Sequence, residues 1–249
     1  MAKAFIVTGA SRGLGLAIAE ILLEASHNVF LVARSETGLQ KLKQRHPDSV
    51  DYMAADLSDL TVAPKIIQAA QKAFGKIDGL VVNHGTLTPL TRLADTNIEE
   101  WRQAYDINVL SAVALVKEAI PELRKSKGRV VFISSGAATG AYAAWAAYGT
   151  GKAAINHVCA HLAVEEPDII AVAVSPGKVD TAMQQQIREL GGSGMEPGQH
   201  ASFIDEHTQG KLLRPEQPGA VIAKLVDNAT RDLSGKHFRW NAIEMSPFQ

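Results

Sequence analysis

Short apolar runs rich in β-branched residues alternate along this chain with longer stretches that are apolar at helical spacing. The runs are KAFIVT (3–8), NVFLVA (28–33), VDYMAA (50–55), DGLVVN (78–83), RVVFIS (129–134) and IIAVAV (169–174), with a seventh near HFRW (237–240). Their continuous apolar character fits strands covered on both faces, hence a parallel sheet. Strand–helix alternation predicts an α/β fold: one doubly wound domain over 1–249, its mostly parallel sheet flanked by helices. A length of 249 residues does not demand a second domain. One segment breaks the rhythm. Residues 184–214 are rich in Gly and polar types and too long for a plain connection, which predicts a substrate lid.

Charge and composition narrow the function classes. A formal net charge of −1 without a basic run gives no electrostatic footprint for nucleic acid. The single cysteine, Cys159, cannot form an internal disulfide, which fits a reducing, cytoplasmic setting. An apolar strand entered by residue 3 leaves no room for a signal peptide, and no apolar run is long enough for a bilayer, so no membrane partner is expected.

The first strand leads into Thr8-Gly9-Ala10-Ser11-Arg12-Gly13-Leu14-Gly15 and then a helix. Glycines there let backbone approach a pyrophosphate, and the helix N-terminus favours its charge. The spacing is G-x-x-x-G-x-G, not the commoner G-x-G-x-x-G; a plain tight turn is the competing reading. After strand two, where an NAD site places an acid, stand Ala33-Arg34-Ser35. Arg34, with Arg12 in the glycine loop, suits a 2′-phosphate and argues for NADP(H); solvated surface arginines are the alternative. Asp56-Leu57, after strand three, is placed either to touch an adenine or to cap the next helix.

YGTGK, residues 148–152, brackets two helix-weakening glycines between Tyr148 and Lys152. Four residues return to nearly the same helical face, so phenol and ammonium are neighbours. A nearby Lys⁺ lowers a phenol's pKa and tunes it for proton transfer to a carbonyl oxygen. Ser135, ending strand five thirteen residues earlier, carries a hydroxyl suited to hold that oxygen, or to bond backbone. Core packing of Tyr148 and a surface Lys152 are the duller readings. His157, Cys159 and His161 mimic metal spacing, but Cys159 falls on the opposite side from the histidines; no metal is expected.

From TGASRGLG through Asp56-Leu57, VNHG, Asn108, ISS, YGTGK and SPGKVDT, the chain resembles the short-chain dehydrogenases/reductases. The resemblance implies a Rossmann-type fold and transfer of the pro-S hydride between a nicotinamide and a carbonyl. Tyr148 would be the acid/base, Lys152 would lower its pKa and hold the ribose hydroxyls, and Ser135 would position the substrate. Asn108 would hold a relay water; Asn83 and Gly85 of VNHG, and Pro176, Gly177, Val179 and Thr181, would line the nicotinamide. His84, Tyr142, Trp145, Met183 and the 184–214 lid with Phe203 would line the substrate pocket and hint at an apolar or aromatic ketone or diketone, core aromatics and a non-functional turn histidine being the alternatives. The sepiapterin-reductase and benzil-reductase branch is similar.

Departures from the family pattern are His84 for a small residue, Ser175 for the usual Asn before Pro-Gly, and Gly149 and Gly151 for other small residues. The two glycines are expected to let the helix lie close to cofactor and neighbouring backbone. Helices over 97–120 and 145–165 would pair subunits into a homodimer or homotetramer. Two other classes remain open: a cofactor-sensing module without turnover, and an epimerase or dehydratase on the same fold.

Overall fold

The computed structural model describes residues 2–249. Strands β1 (Ala4–Thr8), β2 (Asn28–Ala33), β3 (Val50–Ala54), β4 (Gly79–Val82), β5 (Arg129–Ile133), β6 (Ile170–Ser175) and β7 (Lys236–Arg239) form one sheet in the order β3-β2-β1-β4-β5-β6-β7. Every neighbouring pair is parallel, with Val7 level with Leu31 on one side and Val81 on the other. The last apolar run, HFRW, thus joins as a parallel edge strand.

Helices α1 (Gly13–Glu24), α2 (Glu36–Arg45), α3 (Val62–Phe74), α4 (Ile98–Tyr105), α5 (Ser111–Ser126), α6 (Ala146–Glu165), α7 (Ala182–Leu190), α8 (Pro197–Thr208) and α9 (Glu216–Asn228) connect and cover the strands. Side chains leave a strand on alternate faces, so the sheet feeds two cores. Phe5 and Val7 join Ile18 and Leu22 of α1 and Val221 and Ile222 of α9 on one face. Ile6 points the other way, to a cluster with Ile66 of α3, Leu115 of α5 and Ile155 and Cys159 of α6.

Two elements differ from the sequence expectation. The helix expected over 97–120 is broken: a π-helical turn at Asp106–Leu110 separates α4 from α5. Asn97 starts α4 by accepting the Glu99 amide hydrogen at 2.9 Å, so the start was legible while the interruption was not. The 184–214 segment is also not a bare loop. It forms most of α7, a short 3₁₀ turn (Gly191–Ser193) and α8, which turn Ile187, Met195 and Phe203 inward as a third cluster. His157 and His161 stack edge to face on α6 at 4.8 Å, and Cys159 points into the core instead.

Candidate active site

β1 and β4 are neighbours although their crossovers run in opposite directions, so the carboxyl ends of the sheet open into a crevice there. A continuous cavity of about 1410 Å³ occupies it, bordered at one end by Arg34 and Asp56 and at the other by Tyr142 and Phe203. That exceeds the usual volume of a single small-molecule pocket, roughly 300–1,000 Å³. Along its floor run the glycine loop and the N-terminus of α1. Gly9 and Gly13 hold φ of +65° and +56°, a region side chains disfavour. A Cβ on Gly15 would sit 2.3 Å from the Gly9 carbonyl oxygen, so α1 and its loop touch backbone to backbone. Ser11 and Leu14 also line the cavity.

Asn83 braces this loop instead of facing outward: its Nδ2 donates to the Thr8 carbonyl at 2.9 Å and the Gly9 carbonyl at 3.3 Å. Gly38 was missed. It lies in α2, where a Cβ would meet the Ser11 carbonyl at 2.3 Å; a costly glycine inside a helical stretch was the available signal.

At the far rim, Arg34 and Arg12 are exposed and line the cavity. Asp56 accepts the Ser58 amide hydrogen at 2.9 Å in a local turn and does not cap α3, which starts after Thr61. That bond first, and the Arg34 charge after it, hold its carboxyl below the ordinary value. Leu57 is buried and also lines the cavity. The first carboxylate after β2, Glu36, is engaged by the Tyr52 hydroxyl at 3.1 Å.

Ser135, Tyr148 and Lys152 converge on the cavity from the end of β5 and the first turns of α6. Ser135 Oγ accepts the Ala137 amide hydrogen at 3.1 Å, leaving its own proton available. Tyr148 and Lys152 are 7% and 4% exposed. Lys152 Nζ donates to the Ile133 carbonyl at 2.7 Å and lies 5.8 Å from the Tyr148 ring centre. Burial alone lowers the lysine to about 8. Burial pushes Tyr148 up, and only the nearby Ser135 hydroxyl pulls it down. The Lys152 ammonium is turned to the β5 carbonyl.

Asn108 sits in the π-turn, 3% exposed, and finds its partners in backbone. Its Oδ1 accepts from Thr86 N at 2.8 Å and its Nδ2 donates to Thr86 O at 2.9 Å. The side-chain amide therefore clamps Thr86 of the loop after β4 through both its oxygen and its nitrogen. Gly85 is squeezed between them: a Cβ there would meet Asn108 Oδ1 at 2.9 Å and Lys152 Nζ at 3.6 Å.

Pro176, Gly177, Val179 and Thr181 form the opposite wall. Gly177 adopts φ +82°, and a Cβ on it would meet Leu213 at 2.8 Å. Val179 pairs with Leu213 as an isolated parallel bridge. Ser175, in place of the family's Asn, meets His237 Nε2 at 2.8 Å.

Four expected substrate residues come together. Tyr142, Trp145 and Phe203 lie 4.8–6.0 Å apart by ring centres, and Met183 packs against them. Trp145 meets Tyr148 edge-on at 5.8 Å. His84 lines the same cavity. Its ring nitrogens are both engaged, by Thr8 Oγ1 at 2.8 Å and Ser111 Oγ at 2.7 Å. Ser111 and Thr8 escaped the sequence reading, although a lone serine in apolar LSAVALV was a signal.

Residues 3–190 match the family model described as short chain dehydrogenase. The chain belongs to the short-chain dehydrogenase family. It is 40% identical to an uncharacterized oxidoreductase of Saccharomyces cerevisiae over 100% of this chain and 99% of that one. It is 38% identical to a benzil reductase, (S)-benzoin forming, of the same yeast, over 100% of both. A crystal structure of a Saccharomyces cerevisiae short chain dehydrogenase/reductase superposes with a TM-score of 0.97 at 39% identity, covering 99% of each chain.

A nicotinamide dinucleotide fits what is present. The strand-to-helix glycine loop, the α1 N-terminus and the long cavity suit a pyrophosphate with a base at either end. No helix among the described residues is long and apolar enough to cross a membrane.

Proposed function

We propose that the protein is an NADPH-dependent reductase of aryl ketones and 1,2-diketones, reversible toward alcohol oxidation. One observation carries this reading: Tyr148 and Ser135 line the same cavity as the glycine loop, beside the Tyr142–Trp145–Phe203 wall. The bound nicotinamide would supply hydride to the carbonyl carbon. Tyr148 gives the proton to the carbonyl oxygen from its hydroxyl, and a phenol kept protonated by burial is suited to that direction. Ser135 donates a hydrogen bond to the same oxygen. Lys152 and the 176–181 wall would hold the nicotinamide end, with Asn83 acting through the loop it braces. The aromatic wall packs an aryl group and excludes water. The segment 184–214 would act as the lid, since α7 and α8 bring Met183 and Phe203 over the pocket.

The preference for NADPH rests on Arg34 and Arg12, exposed at the rim without a protein partner among the described residues, and on Glu36 being engaged elsewhere. Substrate class follows the benzil reductase relative and the aromatic wall. Association of copies through α4, α5 and α6 is supported by an apolar groove of Leu93, Ile98, Trp101 and Leu110, with Ile98 76% exposed. A cytoplasmic location fits the buried, unpaired Cys159.

Purified protein with NADPH should reduce benzil-like diketones faster than aliphatic ketones. Arg34→Ala should weaken NADPH on the order of tenfold and leave NADH little changed. Equal loss for both cofactors would remove the 2′-phosphate assignment, and no turnover of any carbonyl would remove the enzyme.

A further inference from the structure

His84 has no place in the chemistry above, yet both its ring nitrogens are engaged by protein hydroxyls. Its hydrogen bonds can be assigned proton by proton. Thr8 Oγ1 accepts from Asn83 N at 2.9 Å and from His84 N at 3.3 Å, which fills its two lone pairs. The Thr8 proton then goes to the nearer acceptor, His84 Nδ1 at 2.8 Å, over the Val81 carbonyl at 3.2 Å. Across the ring, Ser111 Oγ lies 2.6 Å from the Ile107 carbonyl, which can only accept, so the serine proton points there. His84 Nε2, 2.7 Å from the same oxygen, must carry the hydrogen. One directed chain results, from Thr8 through a neutral imidazole and Ser111 to Ile107, with no donor left over.

That chain ties three elements. Thr8 ends β1, His84 begins the loop after β4, and Ile107 and Ser111 flank Asn108 in and after the π-turn. From the other side Asn108 clamps Thr86 of the same loop. Gly85, between the two clamps, backs onto Lys152 Nζ. Burial first, and the Lys152 charge second, hold the imidazole neutral, at about 3 against its ordinary 6.5.

We infer that His84 is a positioning residue: as the neutral Nε2–H tautomer it pins the loop after β4 to the π-turn and so fixes Asn108 and Lys152 against the catalytic cavity. The inference rests on the reductase reading for its kinetic consequence, but not for its geometry.

Nitrogen-detected NMR of the His84 ring tests the geometry without turnover. The Nε2–H tautomer should persist unchanged from about pH 8 to about pH 5. An Nδ1–H tautomer, or titration near 6.5, would overturn the chain. In His84→Ala, the Lys152 ammonium should titrate clearly higher than in the wild type, because the loosened loop admits water; an unmoved lysine counts against the inference. Kinetically, His84→Ala and the milder Ser111→Ala should lower kcat for diketone reduction, by on the order of tenfold and threefold, with KM for NADPH within about twofold. His84→Gln, which keeps a donor for Ser111, should recover most of the loss. Folded variants with wild-type kcat refute positioning. Should His84→Ala not fold, Ser111→Ala and the wild-type ring spectrum decide. An inactive wild type with the expected tautomer and lysine shift would overturn the reductase reading while leaving this one standing.

Discussion

Gly149 and Gly151 share one turn of α6, yet alanine should affect them in opposite senses. Against glycine in a helix interior, alanine is worth about 1 kcal/mol. At Gly151 that gain is available: an added Cβ would lie 3.5 Å from Val109 and 3.6 Å from Asn108, ordinary contact distances. At Gly149 the Cβ would lie 2.9 Å from the Ala137 carbonyl oxygen, which is backbone and cannot swing aside. Relieving it takes a shift of several tenths of an ångström, and overpacking of this kind costs about 1–3 kcal/mol. The net is about 1 kcal/mol gained for Gly151→Ala and between nothing and about 2 kcal/mol lost for Gly149→Ala. For a domain of this size each kcal/mol moves Tm by about 2–4 °C. Calorimetry of the cofactor-free protein reads both. Because Ala137 N donates to Ser135 Oγ, pushing that turn also disturbs Ser135, so Gly149→Ala should lose turnover and Gly151→Ala should not. If Gly149→Ala gains stability and keeps activity, the close approach of α6 to the Ser135 turn is not why the glycine stands there.

Acid should destabilise the protein through His84. The unfolded imidazole titrates near 6.5 and the folded one at about 3, so the unfolded state binds the extra proton between them. Stability is full above 6.5 and falls as pH drops, by about 2 kcal/mol at pH ~5, a slope that denaturant titrations should find reduced in His84→Gln. Lys152 is a buried cation held at about 8 and costs stability at neutral pH. Lys152→Met should therefore stabilise the cofactor-free protein by about 1–3 kcal/mol and raise its Tm, while abolishing turnover; a lower Tm would contradict the burial cost.

The sheet was legible because its strands are buried on both faces and leave unbroken apolar runs. β7 was the weakest, since KHFR is an edge strand with charged ends. The π-turn was not legible: DINVL keeps a helical pattern, and the extra residue per turn shows only in three dimensions. At the site, Ser135, Tyr148 and Lys152 were readable as chemistry at fixed spacing. Where Lys152 points was not, because the Ile133 carbonyl it reaches is backbone and carries no residue signal. His84 was visible as an odd residue, but its partners come from β1 and α5, distant in sequence, so the two bonds that hold its ring carried no signal. Phe203 reached the pocket only because a segment rich in Gly and polar residues folds into α7 and α8.

Tyr148→Phe examines the central claim most directly, because it deletes one hydroxyl and keeps the ring that packs on Trp145. Titration with NADPH should give wild-type affinity, and diketone reduction followed by nicotinamide absorbance should fall by at least about a hundredfold. Unchanged reduction by a folded, NADPH-binding Tyr148→Phe protein would contradict proton donation from that residue.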